Sequence, residues 1–300
     1  MPSVKFKNYL HLHILVVIAG FTAILGELIT IKAIPLVWYR MLIATILMFI
    51  YIKVAKVRIS IRPKSIVKLS IAGILIAAHW ITFFAAIDES NVSITLSMFS
   101  TGAFFASIIE PIVYKRKIIW YEMLLGILVI LGVFIITQSE MEYLTGIILG
   151  ISSAFLSSLF AVLNGSFLKQ HSATTISFYE FLSGVFFITI YIILFEGGFN
   201  AAFFNIPIYD YMYLFILASV CTAYAFIALV YVMKLISPYT VVLTYNLEPI
   251  YGILLALLLF PEKEKMSPYF YYGAIVIITT VLLNAVLKNS RKLKRKKLRG

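Results

Sequence analysis

A carboxylate stands in the middle of an apolar stretch near the end of the chain. Glu248 is followed at once by Pro249 in TYNLEPIYGILLALLLFPEKEK (244–265). A charge at membrane depth is costly, and a proline there leaves the carbonyl of Tyr245 free to face a cavity. Two interpretations of Glu248 stay open. It is the polar floor of a substrate site and a protonatable coupling group, or it locks helix packing by pairing with hydroxyl or basic partners.

Further ionisable residues lie within apolar segments. His79 and Trp80 stand in the middle of the third segment, where an imidazole can relay protons and an indole can stack on a planar solute. The alternative is that both only pack. We expect Arg40 to reach the outer interface or to pair with Glu27, in a structural role. We also expect a structural role for Glu180, which aligns with Arg40 in the repeat described below.

Neutral polar residues in the same segments allow two roles. They can hydrogen-bond a solute, or they can join helices, each such bond contributing about 0.6–2 kcal/mol. The candidates are Ser97 and Thr101 in the fourth segment, Asn164 in the sixth and Asn246 in the ninth.

Composition places the chain in a membrane. Of its 300 residues, 62% are hydrophobic and 13% are charged, whereas soluble domains are near half apolar and a quarter charged. The sequence contains no GxxxxGK[ST] and no HExxH, and its four histidines have no metal-ligand spacing. We therefore expect no ATP-driven pump, no metal and no cofactor. We also expect no enzyme, because no nucleophile or metal constellation is visible.

Ten apolar segments divide the chain, each long enough to cross a bilayer as an α-helix. They lie near 9–31, 35–52, 66–87, 91–112, 119–137, 143–168, 174–195, 209–233, 239–260 and 268–287. The fold class is thus all-α and polytopic.

Basic residues set the orientation. With the N-terminus inside, 21 of the 25 Lys and Arg residues fall in cytoplasmic loops and termini. We predict a multi-pass protein of the inner (plasma) membrane with both termini cytoplasmic. The net charge of +12 collects in these loops and in the tail KNSRKLKRKKLRG, where it suits an anionic leaflet rather than nucleic acid.

An internal repeat relates the two halves. A shift of about 147 positions lays SNVSITLSMFSTGAF (90–104) over SPYTVVLTYNLEPIY (237–251), and a shift near 140 lays 21–40 over 161–180. Five helices per unit is an odd number, so the second copy is inverted, as in secondary transporters. We predict repeats at 1–138 and 139–288, then a basic cytoplasmic tail at 289–300.

The pattern resembles the EamA-type family of the drug/metabolite transporter superfamily. The matching features are Leu247-Glu248-Pro249, Pro261-Glu262, Gly273, Gly126, Gly132, Arg40 and the turn AIDESNVSITL (86–96). The sequence departs from the family pattern at Ala19-Gly20-Phe21, where a Trp-Gly pair is common, and at Thr101-Gly102, where a proline is common. Both places are expected to line the cavity, so no relative supplies the substrate.

The resemblance implies a secondary carrier for a small metabolite. We expect a polar or amphipathic, amino acid-like cargo moved outward by alternating access, with Glu248 and His79 as candidates for proton coupling. A monomer is compatible with this sequence, and its partners are the solute and the bilayer. The alternatives are a flippase for a lipid-linked solute, a membrane-embedded enzyme and a sensory membrane protein.

Overall fold

The structure is a computed structural model that describes residues 4–59, 61–115, 117, 119–168, 170–233 and 244–297. No strand occurs in these ranges, which confirms the all-α class. The helices are α1 (Val4–Leu28), α2 (Ala33–Val54), α3 (Pro63–Asp88), α4 (Val92–Phe99), α5 (Gly102–Val113), α6 (Trp120–Ser139), α7 (Leu144–Phe167), α8 (Ala173–Phe195), α9 (Ala201–Phe204), α10 (Ile208–Ala218), α11 (Ala225–Met233), α12 (Glu248–Leu259) and α13 (Pro268–Lys297).

Eight helical segments in the described ranges are long and apolar enough to cross a membrane. Two shorter apolar helices, Glu248–Leu259 and Pro268–Asn284, correspond to the ninth and tenth predicted segments. The start of the ninth segment, 239–243, lies outside the described residues. The multi-pass character is confirmed, whereas the count of ten spans stays a prediction.

Polar caps and proline start several helices where the sequence places them. Pro63 opens α3, where its missing N–H costs no helical hydrogen bond. The side chain of Asn91 accepts a hydrogen bond from the amide of Ile94 at the start of α4 (2.9 Å). The hydroxyl of Ser172 does the same for Thr175 at the start of α8 (3.2 Å).

The fourth predicted segment is two helices rather than one. α4 ends at Phe99 and α5 begins at Gly102, so the predicted segment 91–112 is one span, Val92–Val113, with a turn at Ser100 and Thr101 that the sequence did not indicate. The amide of Thr101 bonds to the carbonyl oxygen of Met98, three residues back (3.0 Å), which tightens the chain at this point. The hydroxyl of Thr101 bonds to the same oxygen (2.6 Å) and competes with the α-helical pattern.

The ninth segment is interrupted at the corresponding position. Asn246 and Leu247 form a turn before α12 begins at Glu248, and the amide of Leu247 bonds three residues back to Thr244 (3.0 Å). The 147-residue shift of the repeat places Ser100 on Leu247. Broken helices at related positions of two repeats are typical of transporters, where they surround the solute site.

The helix contacts form equivalent pairs: replacing each helix by its counterpart in the other repeat turns one observed contact into another. α1 packs on α12, and α4 with α5 packs on α7. α3 packs on α7, and α1 packs on α10 and α11. α3 packs on α8, and α2 packs on α10. Two further contacts map onto themselves, namely α2 with α8 and α6 with α13. This pattern is what a two-fold relation between two five-helix units would produce.

Glycines allow the closest of these crossings. A methyl group on Gly132 of α6 would lie 2.9 Å from the carbonyl oxygen of Gly273 on α13, and the reverse distance is 2.8 Å. At the crossing of α1 and α12, a methyl group on Gly20 would lie 2.9 Å from the amide nitrogen of Gly252. These backbones approach as closely as the small-residue interfaces of membrane helices.

The loop between α12 and α13, residues 260–267, ties the second half to the first. Glu264 is fully buried, and its two carboxylate oxygens accept hydrogen bonds from the amides of Val92 (3.0 Å) and Ser93 (2.9 Å). The carboxylate thus caps the positive N-terminus of α4. Burial raises the pKa of Glu264, although the two amides act in the opposite direction.

The same loop has two more anchors. Lys263 forms an ion pair with Glu27 at the end of α1, and this partner raises the pKa of Lys263. Glu140, at the end of α6, accepts a hydrogen bond from the amide of Ser267 (3.0 Å). One short loop therefore contacts α1, α4 and α6 at one end of the molecule.

The crossing of α6 and α13 gives a stability prediction. We expect Gly132→Ala to lower the free energy of unfolding by about 1–3 kcal/mol, because the added methyl meets backbone atoms that cannot turn aside. The matched control is Gly165→Ala, where the methyl meets the hydroxyl end of the Tyr114 side chain, which can rotate. Thermal unfolding in detergent measures both, and equal effects would contradict the close crossing.

The cap of α4 gives a second prediction. We expect Glu264→Gln to lower the free energy of unfolding by about 1–3 kcal/mol, because the glutamine side chain has one acceptor oxygen instead of two, so one of the two buried amides loses its partner. The folded-state pKa of Glu264 lies above its unfolded value, so its favourable contribution is largest at low pH and is lost as pH rises through the folded pKa.

The unmodified protein should therefore exceed Glu264→Gln by more at about pH 5 than at about pH 8. Glu262→Gln is the control, because Glu262 is exposed in the same loop. A difference between unmodified protein and Glu264→Gln that grows with pH would contradict the assigned direction of the pKa shift.

Candidate functional site

Arg40 lies at the centre of a polar cluster between the halves. It follows the start of α2 by seven residues, about 10 Å along the helix, and is only 3% exposed. Its Nε donates a hydrogen bond to the hydroxyl of Thr222 (2.9 Å). Its guanidinium carbon lies 3.8 Å from the ring centre of Trp80 and 5.6 Å from that of Phe84. Such stacking is attractive and strengthens away from water.

This position corrects the expectation for Arg40. It neither reaches the outer interface nor pairs with Glu27, which instead binds Lys263. Glu27 ends α1 beside the loop of residues 260–267, whereas Arg40 lies deeper, where the face of Trp80 and the hydroxyl of Thr222 receive it. The sequence places Glu27 and Arg40 on neighbouring helices, but it does not show which partner Arg40 contacts.

Thr222 owes its position to a local defect in a helix. Residues Ser219–Tyr224 form a π-helical segment between α10 and α11. The hydroxyl of Thr222 donates to the carbonyl oxygen of Leu217, five residues back (2.8 Å), and also accepts from Arg40. Such bulges are frequent at functional sites. Sequence reasoning missed Thr222, which with Ser219 is one of two aliphatic hydroxyls in the apolar run 209–233.

Glu248 is the opposite charge of this cluster. It is the first residue of α12, where the helix dipole favours an acidic side chain, and Pro249 follows it without an N–H. Arg40 and Tyr245 lie within its electrostatic reach. Both Glu248 and Asn246 are only half-buried. The structure thus brings together four predicted residues, namely Glu248, Tyr245 and Trp80 with Arg40.

His79 makes a packing contact between α3 and α7. Its Nδ1 lies 2.8 Å from the hydroxyl and 3.2 Å from the carbonyl oxygen of Ser153, and the Ser153 hydroxyl also reaches the His79 carbonyl oxygen (3.2 Å). The ring stacks on Phe99, the last residue of α4, at 5.4 Å between centres. These contacts favour the structural interpretation of His79, with one ring face against the interrupted helix.

The remaining candidates lie apart or are occupied. The hydroxyl of Thr101 is bonded locally, and Ser97 is fully buried on α4 with no partner among the described residues. Asn164 lies beside the buried carboxyl group of Glu180. Glu180 is next to Gly73 on α3, about 10 Å along that helix from Trp80, so it forms a second polar site at another level.

Ser153 gives a test of the role of His79. We expect Ser153→Ala to lower the free energy of unfolding by about 1–3 kcal/mol, because the buried imidazole loses its hydrogen-bond partner. The control is Ser152→Ala, whose neighbouring, exposed hydroxyl bonds only within its own helix. If the two variants unfold at the same temperature, His79 is not held by this contact and its ring is available to a solute.

Comparison with solved structures supports the fold. One crystal structure matches with a TM-score of 0.64 at 12% sequence identity, covering 96% of this chain and 98% of the other. At this identity the likeness concerns the fold alone. No curated protein matches the chain by sequence.

The family comparison is decisive. The model of the EamA-like transporter family matches twice, at residues 7–138 and 144–286, and so covers most of the chain in two consecutive copies. This result confirms the resemblance that the sequence motifs indicated. The family is one of membrane transporters of the drug/metabolite superfamily. The chain belongs to the EamA-like transporter family.

Proposed function

We propose that the protein is a secondary transporter that exports a small polar or amphipathic metabolite across the inner membrane by alternating access. The observation that carries the proposal is the charged cluster of Arg40 and Glu248 beside the interruption of the ninth segment. Ionisable groups inside a membrane usually mark a substrate or ion path, and broken helices bring polar backbone to it.

The helix contacts support a rocking mechanism. The pairs formed by α1 with α12 and by α4 and α5 with α7 are exchanged by the repeat. If the second unit is inverted, motion of these pairs would open a central site first to one face and then to the other. The carboxyl group of Glu248, half-buried at the interruption, is the coupling candidate.

In the proposed cycle, the contacts of the loop of residues 260–267 close the outer end of the transporter. With both termini cytoplasmic, the loop of residues 260–267 lies on the outer side, where it joins α12 and α13 to α1, α4 and α6 through Lys263, Glu264 and Ser267. Release of a solute to the outside would require these contacts to separate. A closed outer end with separable polar contacts fits one state of an alternating-access cycle.

The test is the release of metabolites into the medium by cells that overexpress the protein. Untargeted mass spectrometry would compare unmodified protein, Glu248→Gln and Glu262→Gln at equal membrane abundance. We expect a small set of metabolites to rise with unmodified protein and Glu262→Gln. With Glu248→Gln the release should fall about tenfold or more, since about 1.4 kcal/mol of lost interaction changes a binding constant tenfold.

Two outcomes contradict parts of the proposal. Equal release by all three proteins would retain transport but give Glu248 a structural role. No change in the medium with any of them would reject export, and flipping of a lipid-linked solute would then be tested in vesicles.

A further inference from the structure

A polar cleft lies where the loop between α2 and α3 meets the loop between α7 and α8. Its volume is about 560 Å³, within the range of about 300–1,000 Å³ that small-molecule sites usually have. The first half contributes Ile61, Arg62 and Ser65 to its lining, and the second half contributes Gln170 and His171. Ser65 precedes Trp80 by fifteen residues of α3, about 22 Å, so the cleft is separate from the cluster around Arg40.

Arg62 gives the cleft a positive charge that the neighbouring chain does not neutralise. It is exposed just before the first residue of α3, and it forms no ion pair with any residue that the structure describes. The two stretches that contribute to the cleft, 28–87 and 143–179, contain no Asp and no Glu. An anion from outside the protein would therefore meet an attractive charge without a competing carboxylate from either stretch.

The pair of Ser65 and His171 leaves one hydrogen free to donate. Nε2 of His171 lies 3.1 Å from the hydroxyl oxygen of Ser65. If the neutral ring accepts this hydrogen bond, the N–H at its Nδ1 remains free. If the ring donates the hydrogen bond instead, the O–H of the serine remains free. Because both side chains line the cleft, a donor is available to a ligand in either tautomer.

The donors around the cleft suit the oxygens of a phosphate group. The guanidinium of Arg62 can present two parallel N–H groups to two such oxygens, and the amide of Gln170 adds a donor from the second half. Arg62 also stands at the N-terminal end of the 26-residue α3, where the helix dipole adds partial positive charge. Charge and hydrogen-bond donors thus converge on one cleft from both halves.

Exposed apolar side chains follow or precede the lining residues in the chain. Ile66 and Val67, in the first turn and a half of α3, are 41% and 62% exposed, and Leu168, directly after α7, is 49% exposed. With both termini cytoplasmic, the two loops lie on the cytoplasmic side. Basic pockets between membrane helices on that side are typical sites for the head groups of anionic lipids.

We infer that the cleft binds the phosphate group of an anionic ligand at the cytoplasmic side of the membrane, with Arg62 as its main contact. The exposed apolar side chains favour a phospholipid as the source of that group. A bound phosphate would contact both halves, as the His171–Ser65 pair and the hydrogen bond from Tyr179 to the carbonyl oxygen of Ile59 (3.3 Å) already do. The inference depends neither on the cargo nor on the proposed export.

The test measures binding to purified full-length protein in a neutral detergent. Thermal unfolding would be followed with increasing dihexanoyl phosphatidylglycerol, with phosphatidylcholine of the same chains, with glycerol phosphate and with inorganic phosphate. Sodium chloride at matched ionic strength controls for screening. We expect phosphatidylglycerol to raise the unfolding temperature. Phosphatidylcholine should need a concentration about tenfold higher or more, because its choline group cancels the charge of the phosphate.

Variants of Arg62 complete the test. Arg62→Gln should raise the required phosphatidylglycerol concentration about tenfold, and Arg62→Lys, which keeps the charge but loses the planar fork, should raise it by less. The matched control is Arg58→Gln, which changes the net charge equally, because Arg58 is exposed in the same loop but does not line the cleft. It should bind the lipid as the unmodified protein does. Comparison of the two lipids uses the unmodified protein alone, so the test still discriminates if Arg62→Gln misfolds.

The arms of the test separate the two sources of phosphate. Stabilisation by phosphatidylglycerol and not by the free phosphates supports the cleft as a lipid site. Stabilisation by the free phosphates that is lost in Arg62→Gln supports the same cleft with a soluble ligand. Four results would overturn the inference, namely stabilisation by none of these ligands, equal stabilisation by the two lipids, binding that Arg62→Gln does not weaken more than Arg58→Gln does, and an equal effect of sodium chloride.

Discussion

A buried guanidinium inside the membrane constrains the rest of this structure. Arg40 must be compensated where no water is at hand, and each of its contacts depends on an irregular or tightly packed piece of backbone. The π-helical turn at Ser219–Tyr224 places the hydroxyl of Thr222 where it accepts a hydrogen bond from Arg40. The long α3 supplies Trp80. The interruption before α12 places a carboxylate at a helix start, in electrostatic reach of the cation.

The helix interruptions explain how polar chemistry and membrane insertion coexist. A regular helix satisfies its own backbone and leaves little for a solute to bind. In both halves the regular helix is interrupted at related positions, near Ser100 and near Leu247. The close glycine crossing of α1 on α12 packs the chain beside the second interruption. The proposed function and the fold therefore depend on the same few residues. The contacts of the loop at 260–267 join α12 and α13 to α1, α4 and α6 at another part of the fold.

Much of the fold could be predicted from the sequence, because bilayer thickness and backbone hydrogen bonding leave few choices. Apolar runs predicted the helices, and Leu247-Glu248-Pro249 with the internal repeat predicted the family. The partners of the buried polar residues could not be predicted. Thr222 is one hydroxyl in an apolar run, and only the π-helical turn directs it to Arg40. A histidine residue suggests a proton relay, but the packing of α3 on α7 places the ring of His79 in a hydrogen bond with Ser153. The division of 91–112 into two helices was missed because Ser100 and Thr101 are compatible with a continuous helix.

Alternating access of the central site is the main claim, and thiol labelling at Asn246 tests it most directly. The native Cys221 is buried and would be replaced by serine, and a single cysteine would then be placed at position 246. A membrane-impermeant thiol reagent would be applied from either side of sealed vesicles, with Leu258→Cys as an exposed apolar control on α12. We predict that position 246 reacts from both sides and that position 258 reacts from neither. Reaction of position 246 from one side only, or from neither, would contradict a site that opens alternately to the two faces of the membrane.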